Sequence, residues 1–233
     1  MTLGLAIVGY GKMGRLIEQL APEYGFDVRA RFNSRNNPGG VGLTRDALRG
    51  VDVAVEFSTP LAAAENILWL AAAGINTVVG TTGWLEQLPS LRDAVAQNNT
   101  ALVWAPNFSV GVNIFTQVVA HAAALFAKQP DYDAWGWEIH HSAKQDAPSG
   151  TLKKLAEEIR ASGYDRALTL TASRAGAHPG THEIGFDSAA DTITLRHTVR
   201  SRDGFARGAL RAARWIAGKK GIFEFREVLG ELS

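Results

Sequence analysis

The sequence predicts an α/β protein with a doubly wound parallel sheet, joined to a second α+β domain with a mixed, largely antiparallel sheet. Short β-branched runs alternate with helical segments in the first part of the chain, which is typical of a parallel sheet with helices on both faces. After residue 108 a long apolar helix precedes segments of alternating Thr, Ile, Leu and Val, and helical spacing returns from Gly208. We therefore expect one domain of residues 1–108 and 208–233 and another of residues 109–207.

The first domain contains five predicted strands, which are short runs rich in β-branched residues, and the first of them is expected to be buried. They are residues 5–8, 28–32, 51–57, 77–79 and 100–104. A helix is expected at residues 13–20, and another lies between the third and fourth strands. Three residues mark the ends of this second helix: Thr59 can cap it, Pro60 suits its first position, and Gly74 suits its exit.

The second domain is expected to begin with an apolar helix and a strand, at residues 112–126 and 134–139. A further helix is predicted over residues 151–162, with apolar side chains on one face. Three strands follow, at residues 167–173, 181–186 and 191–201. We expect His182 and His197, which lie on the last two strands, to be hydrogen-bonded sheet residues rather than catalysts.

Composition excludes several classes of protein. The chain has 24 basic and 23 acidic residues, whereas a dedicated nucleic-acid binder usually has a strong basic excess. It has no cysteine, which excludes disulfides, thiolate metal sites and cysteine nucleophiles. Its apolar runs are far shorter than the roughly 20 residues that cross a bilayer, and its start lacks the basic region of a signal peptide. We therefore expect a cytoplasmic protein that binds neither nucleic acid nor membranes.

The first functional motif is a glycine-rich turn, Gly9-Tyr-Gly11-Lys-Met-Gly14, which follows a predicted strand and opens a helix. Glycines in this context let the turn close and let the backbone approach a pyrophosphate, whose charge is favoured at a helix N-terminus. The motif predicts a Rossmann-type dinucleotide site, against the alternative of a glycine turn without a ligand. The candidate cofactor residues here are Gly9, Tyr10, Gly11, Lys12, Met13 and Gly14.

The end of the second predicted strand bears on the choice of cofactor. A fold that prefers NAD places an acidic residue about 20 residues after the motif. This chain has Ser34 and Arg35 there instead, and no acid between them and Asp46. A hydroxyl and a guanidinium suit a 2′-phosphate. We therefore expect NADPH as the preferred cofactor and NADH as a second one, unless Arg35 is only a solvated loop residue.

Two further loops follow predicted strands, at residues 80–83 and 105–109. Ligands of doubly wound sheets bind outside the carboxyl ends of the strands, so these loops are expected to line the cofactor site. Taken alone, each would be an ordinary turn. The candidate cofactor residues in them are Gly80, Thr81, Thr82, Ala105, Pro106, Asn107 and Phe108.

Titratable side chains are concentrated in residues 138–151, Glu-Ile-His-His-Ser-Ala-Lys-Gln-Asp-Ala-Pro-Ser-Gly-Thr. His140 and His141 are suited to proton transfer near neutral pH, and Lys144 supplies a positive charge for a carboxylate. Ser149 opens a helix, whose N-terminus favours anions. The segment therefore predicts a substrate that has a carboxylate and takes up a proton, rather than a solvated loop. No metal is expected, because the two histidines have no suitable third ligand nearby in the sequence.

These motifs resemble the signature of the 4-hydroxy-tetrahydrodipicolinate reductase (dihydrodipicolinate reductase) family. The segment at residues 138–151 is specific to that family, and the resemblance covers the whole chain. The other matching segments are residues 8–15, 56–60, 80–83, 105–113 and 218–229. The resemblance implies NAD(P)H-dependent reduction of 4-hydroxy-tetrahydrodipicolinate, a small cyclic dicarboxylate, to tetrahydrodipicolinate in the diaminopimelate route to lysine. It also implies a homotetramer assembled through the second domain.

The resemblance further implies that His140 is the proton donor and Lys144 a second catalytic group. The residues expected to bind the substrate are His141, Ser149, Gly150, Thr151 and Thr82, the last of which is also expected to contact the cofactor. The residues alone leave two other functions open. Another Rossmann oxidoreductase, of the amino-acid dehydrogenase type, would share the cofactor loops without needing the histidine-lysine segment. A dinucleotide-sensing module would bind the cofactor without catalysis.

Overall fold

The computed structural model describes residues 1–232, which divide into two compact units. The first unit consists of residues 1–110 and 203–232, and the second of residues 111–202. The sequence predicts these limits at 108/109 and 207/208. Residues 203–207 lie in a helix of the first unit, which spans Asp203–Ile216.

The first unit is built around a parallel sheet. Its strands are β1 (Leu3–Val8), β2 (Phe26–Phe32), β3 (Val53–Glu56), β4 (Asn76–Val79), β5 (Ala101–Trp104) and β10 (Gly221–Glu224). Its helices are α1 (Lys12–Leu20), α2 (Pro60–Ala72), α3 (Leu88–Gln97), α6 (Asp203–Ile216) and α7 (Phe225–Val228). All neighbouring strands are parallel, in the order β10-β5-β4-β3-β1-β2. This confirms the predicted doubly wound sheet, and the strand order reverses beside β1, where ligands of such sheets bind.

Helices cover both faces of β1, because side chains alternate along a strand. Leu5 and Ile7 pack in one buried cluster with Ile17 of α1 and with α6. Ala6 and Val8 lie in a different cluster that includes α2. Burial on both faces explains why the strand is a continuous apolar run rather than an alternating one.

Several elements of the first unit differ from the prediction. Strand β10 and helix α3 were not predicted; β10 has four residues, all only half-buried, so no buried apolar run marks it. Strand β3 spans Val53–Glu56 and is shorter than the predicted strand at residues 51–57. The Val51 N–H donates to the Leu48 carbonyl, so Val51 belongs to the preceding turn. Helix α6 begins at Asp203 rather than at Gly208. Gly208 weakens the helical pattern, but a Cβ there would stand 1.7 Å from the Phe108 carbonyl oxygen.

The second unit contains the mixed sheet. Its elements are α4 (Val110–Phe126), which begins at the unit boundary, β6 (Asp133–His140), α5 (Gly150–Ala161), β7 (Leu168–Arg174), β8 (Thr181–Asp187) and β9 (Thr192–Thr198). The strand order is β7-β6-β8-β9, with β6 and β7 parallel and the other two pairs antiparallel. Strand β9 is shorter than the predicted 191–201, because Asp191 closes a turn with Ser188.

The core of the second unit lies between its helices and one face of its sheet. Phe115 of α4, Leu152 and Leu155 of α5, and Ile184 and Phe186 of β8 are buried together. Helix α4 is 17 residues long and rich in apolar side chains. Neither it nor any other helix within residues 1–232 is long and apolar enough to span a membrane.

Candidate active site

The glycine-rich turn lies between β1 and α1, and glycine is present at its three positions for different structural reasons. Gly9 has φ +98°, and a Cβ there would stand 2.1 Å from the Phe57 carbonyl oxygen. A Cβ on Gly14 would stand 2.4 Å from the Gly9 carbonyl oxygen. These two glycines are therefore required by the fold itself. Gly11 precedes α1, and a Cβ on it would have no protein atom within 4 Å. The protein's own packing gives no reason for a glycine there, whereas a ligand approaching the helix N-terminus would.

A cavity of about 440 Å³ opens beside this turn, at the carboxyl ends of β1, β2 and β3. Four of the predicted cofactor residues line it: Gly9, Tyr10, Gly11 and Ser34. The other lining residues are Val8, Phe32, Asn33, Asn37, Pro38, Gly39, Phe57, Ser58, Thr59, Ala62 and Asn66. The lining does not include Lys12, Met13, Gly14, Arg35 or the predicted residues of the loops after β4 and β5. The cavity therefore offers glycine backbone, hydroxyl groups and amides to a ligand.

A hydrogen-bonded chain forms one polar wall of this cavity. The Asn37 side-chain amide donates to Asn66 Oδ1 (2.9 Å), and Asn66 Nδ2 donates to Glu56 Oε1 (3.1 Å). Ser58 donates its hydroxyl to the same carboxylate, and its N–H to Thr81 Oγ1 (2.8 Å). Burial raises the pKa of Glu56, which these hydrogen bonds oppose. The chain connects the loop after β4, with its predicted residue Thr81, to the cavity wall.

The loops after β4 and β5 are held by the first unit. Trp84 Nε1 donates to the Thr81 carbonyl (2.7 Å), and Asn107 Oδ1 accepts from the Ser109 N–H (2.8 Å). The Phe108 ring is buried and packs on Phe225 with ring centroids 4.7 Å apart. The side chain of Phe108 therefore packs in the core, and its contact with the cofactor stays a prediction.

A second polar cluster is buried in the second unit, and Glu138 of β6 is its centre. The fully buried carboxylate accepts from the Ser149 N–H (2.8 Å) and from Arg174 Nη2 (2.9 Å), both at Oε1. The Ser149 hydroxyl donates to Oε2, and His182 Nε2 lies 3.3 Å from Oε2. We call Glu138, His140, Ser149, Arg174 and His182 the Glu138 cluster. Burial alone would raise the pKa of Glu138, but the hydrogen bonds from Ser149 and Arg174 hold it below the usual value.

His140 lies on the same face of β6 as Glu138. Its Nδ1 is 3.7 Å from Glu138 Oε2, and its ring meets that of His182 edge-on, with centroids 5.0 Å apart. Gly180 has φ +140°, and a Cβ there would stand 3.0 Å from His140 Nε2, so this glycine leaves room for the imidazole. Burial lowers the pKa of His140, and the Glu138 carboxylate opposes this effect.

The loop between β6 and α5 brings positive charge to a helix N-terminus. Lys144 Nζ bonds to Asp146 Oδ1 (2.6 Å). Ser149 caps α5, because its hydroxyl accepts from the Leu152 N–H (3.2 Å). A Cβ on Gly150 would meet nothing within 4 Å, so packing does not explain this glycine either. The arrangement can hold an anion at the start of α5.

The structure places two further candidate metal ligands beside His140. No third ligand was expected near the histidine pair in the sequence, but Glu138 and His182 lie next to His140, with candidate ligand atoms within 4.8 Å of one another. The carboxylate already accepts hydrogen bonds from Ser149, and the Arg174 guanidinium lies 2.9 Å from it. A fixed positive charge at this distance disfavours a cation, so we interpret the group as a hydrogen-bonded cluster.

The roles of Glu138 and Arg174 in this cluster were not predicted from the sequence. Glu138 and His140 are two residues apart on a strand, so a shared face could have been inferred. Arg174 and His182 gave no local signal, because they reach Glu138 only through the pairing of β6 with β7 and β8. His182 was expected to be a hydrogen-bonded sheet residue, and its Nε2 does lie 3.2 Å from the Ser149 hydroxyl.

Comparison with known proteins gives one consistent result. Residues 3–108 match the family model described as dihydrodipicolinate reductase, N-terminus, and residues 111–229 the one described as its C-terminus. A 4-hydroxy-tetrahydrodipicolinate reductase of Christiangramia forsetii is 35% identical over 241 residues, covering 99% of each chain. Another, of Xanthomonas euvesicatoria, is 42% identical over 231 residues, covering 94% of each. The structure of a dipicolinate-bound dihydrodipicolinate reductase from Paenisporosarcina sp. TG-14 has the same fold, with TM-score 0.82 and 22% identity over 98% of this chain and 100% of that one.

Proposed function

The chain belongs to the dihydrodipicolinate reductase family, and from this premise we propose that His140, Lys144 and the start of α5 perform its chemistry. The protein is an oxidoreductase that reduces 4-hydroxy-tetrahydrodipicolinate with a pyridine nucleotide, in the diaminopimelate route to lysine. The observation that supports the residue assignment is the Glu138 cluster, which joins a buried histidine to a capped helix N-terminus. An amino-acid dehydrogenase or a dinucleotide sensor would have no need of this cluster.

The substrate carboxylates are proposed to bind at the start of α5. In the structure Lys144 and the Gly150 backbone both hydrogen-bond to Asp146. The pKa of Asp146 is below its ordinary value, chiefly because of the hydrogen bond from Lys144. A substrate carboxylate would replace Asp146 as the partner of these groups, and Thr151 and His141 lie on either side of them in the sequence. Ser149 contributes to this site by capping the N-terminus of α5. Thr82 is proposed to contact both the substrate and the cofactor. Holding the ring in one orientation lowers the entropic barrier to reaction.

His140 is proposed to deliver the proton. The reduced nicotinamide supplies a hydride to a ring carbon when it is bound. As negative charge develops on the substrate, the imidazolium of His140 donates its proton, and Lys144 stabilises the charge as a second catalytic group. The hydride and the proton together add two hydrogen atoms, and the 4-hydroxyl group, which the product lacks, leaves as water. Because the proton must be present on His140, turnover should fall as pH rises through its pKa, which burial places below the ordinary value.

The cavity in the first unit is proposed to hold the dinucleotide. The residues present fit such a ligand: Gly11 leaves the start of α1 open, Ser34 and Asn33 offer polar groups beyond β2, and the cavity measures about 440 Å³. We propose NADPH as the preferred cofactor. Of the two arginines near the end of β2, Arg31 is already bound by Glu18, with Arg31 Nε 2.7 Å from Glu18 Oε1. Arg35 is exposed and directly follows Ser34, so it can reach a 2′-phosphate.

The first test is turnover. Purified protein is added to freshly made dihydrodipicolinate synthase product, and oxidation of NADPH and of NADH is followed in parallel. We expect oxidation of both, with a lower KM for NADPH. Equal KM values would contradict the cofactor preference alone. Absence of oxidation, in protein that still binds NADPH, would contradict the catalytic assignment and favour a sensing module.

Replacing Arg35 with Ala is expected to raise the KM for NADPH about tenfold and to leave that for NADH unchanged, because a charged hydrogen bond to the 2′-phosphate is lost. Steady-state kinetics with both cofactors measures this. Arg29→Ala is a matched control, since Arg29 is an exposed arginine of β2 whose guanidinium lies 3.0 Å from Asp27. An unchanged KM for NADPH would mean that Arg35 is a solvated loop residue.

We also propose that the protein is a cytoplasmic homotetramer, as the family resemblance implies. What supports the assembly is apolar surface on the second unit. Helix α4 exposes Ile114, Val118 and Leu125, and β9 exposes Ile193. Apolar patches of this kind on a biosynthetic enzyme are typical of subunit contacts.

A further inference from the structure

Glu138 is a buried charged group that the proposed reaction does not use directly. We propose that Glu138 is a positioning residue that serves both halves of the substrate site: it fixes the N-terminus of α5 and supplies the negative charge that lets His140 carry a proton. The proposal rests on the role proposed for His140. It adds a residue that contacts neither substrate nor cofactor in the mechanism above.

The first half of the proposal rests on hydrogen bonds to Ser149. The Glu138 carboxylate accepts hydrogen bonds from both the N–H and the hydroxyl of Ser149. The same hydroxyl accepts a hydrogen bond from the Leu152 N–H and so caps α5. Glu138 and Ser149 are both buried, and α5 begins at the next residue, Gly150. The position of the helix N-terminus is therefore set by a carboxylate on β6.

The second half rests on the charges around His140. Its Nδ1 is fully buried without a hydrogen-bond partner, and the nearest carboxylate oxygen is Glu138 Oε2 at 3.7 Å. From β7, the Arg174 guanidinium disfavours a second positive charge, and so does Lys144 from the loop between β6 and α5, whereas Asp146 in the same loop as Lys144 favours one. A proton on His140 thus depends on Glu138 to offset burial and two cations.

His182 of β8 also faces this group. Burial, reinforced by the neighbouring His140, lowers the pKa of His182 to about 4 despite the nearby Glu138 carboxylate. Burial and a proton on His140 therefore both disfavour a proton on His182. Its Nε2 lies 3.2 Å from the Ser149 hydroxyl, which connects it to the same cap.

The sign of the expected pH effect follows from these charges. Turnover requires protonated His140, so kcat/KM falls as pH rises through the pKa of His140. Glu138 raises this pKa and Arg174 lowers it. Removing the carboxylate charge should therefore move the high-pH limb of the profile to lower pH, and removing the guanidinium charge should move it to higher pH.

The experiment is a set of kcat/KM–pH profiles for Glu138→Gln, Glu138→Asp and Arg174→Gln, with NADPH affinity measured on each. Glu138→Gln is expected to move the high-pH limb down by about one pH unit, as a neighbouring charge typically does. Its kcat/KM should recover towards wild type at low pH. Glu138→Asp keeps the charge but withdraws the carboxylate by one methylene from both Ser149 and His140, so its limb should move less than that of Glu138→Gln while the substrate KM rises. Arg174→Gln should move the limb upward.

The control is Glu183→Gln. Glu183 is on β8 next to His182, so its side chain points to the other face of the sheet, where it binds Arg196 at 2.6 Å. This variant should keep the wild-type profile. A wild-type limb in Glu138→Gln with intact NADPH affinity overturns the proposal; should that variant not fold, an unmoved limb in Arg174→Gln does so. Full turnover in His140→Gln would instead overturn the proposed proton donor, which distinguishes the two failures.

Discussion

Replacing His140 with Gln is expected to lower kcat about 100-fold or more while leaving the affinity for NADPH unchanged. His140 is the residue proposed to deliver the proton, and Gln cannot do so at neutral pH. The proposed cofactor residues lie in the first unit, whereas His140 is part of the buried Glu138 cluster of the second. Steady-state turnover and NADPH titration by fluorescence measure the two effects separately.

A matched control for this variant is His197→Gln. His197 is also a histidine of the mixed sheet, but it lies on β9, where its ring packs on Phe115 with ring centroids 5.7 Å apart. Its replacement should change kcat by less than about twofold, as expected for a residue outside the reacting groups. Equal losses in both variants would indicate a general disturbance of the sheet, and the proton-donor assignment would then be wrong.

The fold was predictable where the sequence pattern is local and complete. Strands β1, β3, β4 and β5 are short, largely buried runs, and the glycine turn and the Pro60 helix start are marked by residues with few alternatives. Strand β10 could not be found in this way. It is a short, half-buried edge strand that exists because β5 offers it a partner, and that pairing joins residues about 120 positions apart.

In the candidate site too, residues that are close in the sequence were predictable, and those brought together by strand pairing were not. His140, Lys144 and Ser149 lie within one continuous segment, so their residue types alone predicted an acid and an anion site. The role of Glu138 depends on Arg174 and His182, which reach it through strand pairing that the sequence does not state. The cavity wall formed by Asn37 and Asn66 was missed for the same reason: one amide is in a loop and the other in a helix.

Two alanine substitutions in the glycine turn should show which glycine is needed for folding and which for binding the cofactor. Gly9→Ala is expected to lower the free energy of unfolding by about 3 kcal/mol or more. It places a Cβ 2.1 Å from the Phe57 carbonyl at a positive φ, which L side chains rarely adopt. Denaturant titration measures this loss, and a stable Gly9→Ala protein would contradict the steric argument.

Gly11→Ala is expected to behave differently. A Cβ there meets no protein atom within 4 Å, so the free energy of unfolding should fall by no more than about 1 kcal/mol, the cost of Ala at a helix N-cap. The Kd for NADPH should nevertheless rise at least about tenfold, because the methyl group occupies the space through which a pyrophosphate reaches the N–H groups of α1. Titration of NADPH into the folded variant checks this. Wild-type affinity would mean that the pyrophosphate does not approach α1 at Gly11, and the proposed position of the dinucleotide would have to be abandoned.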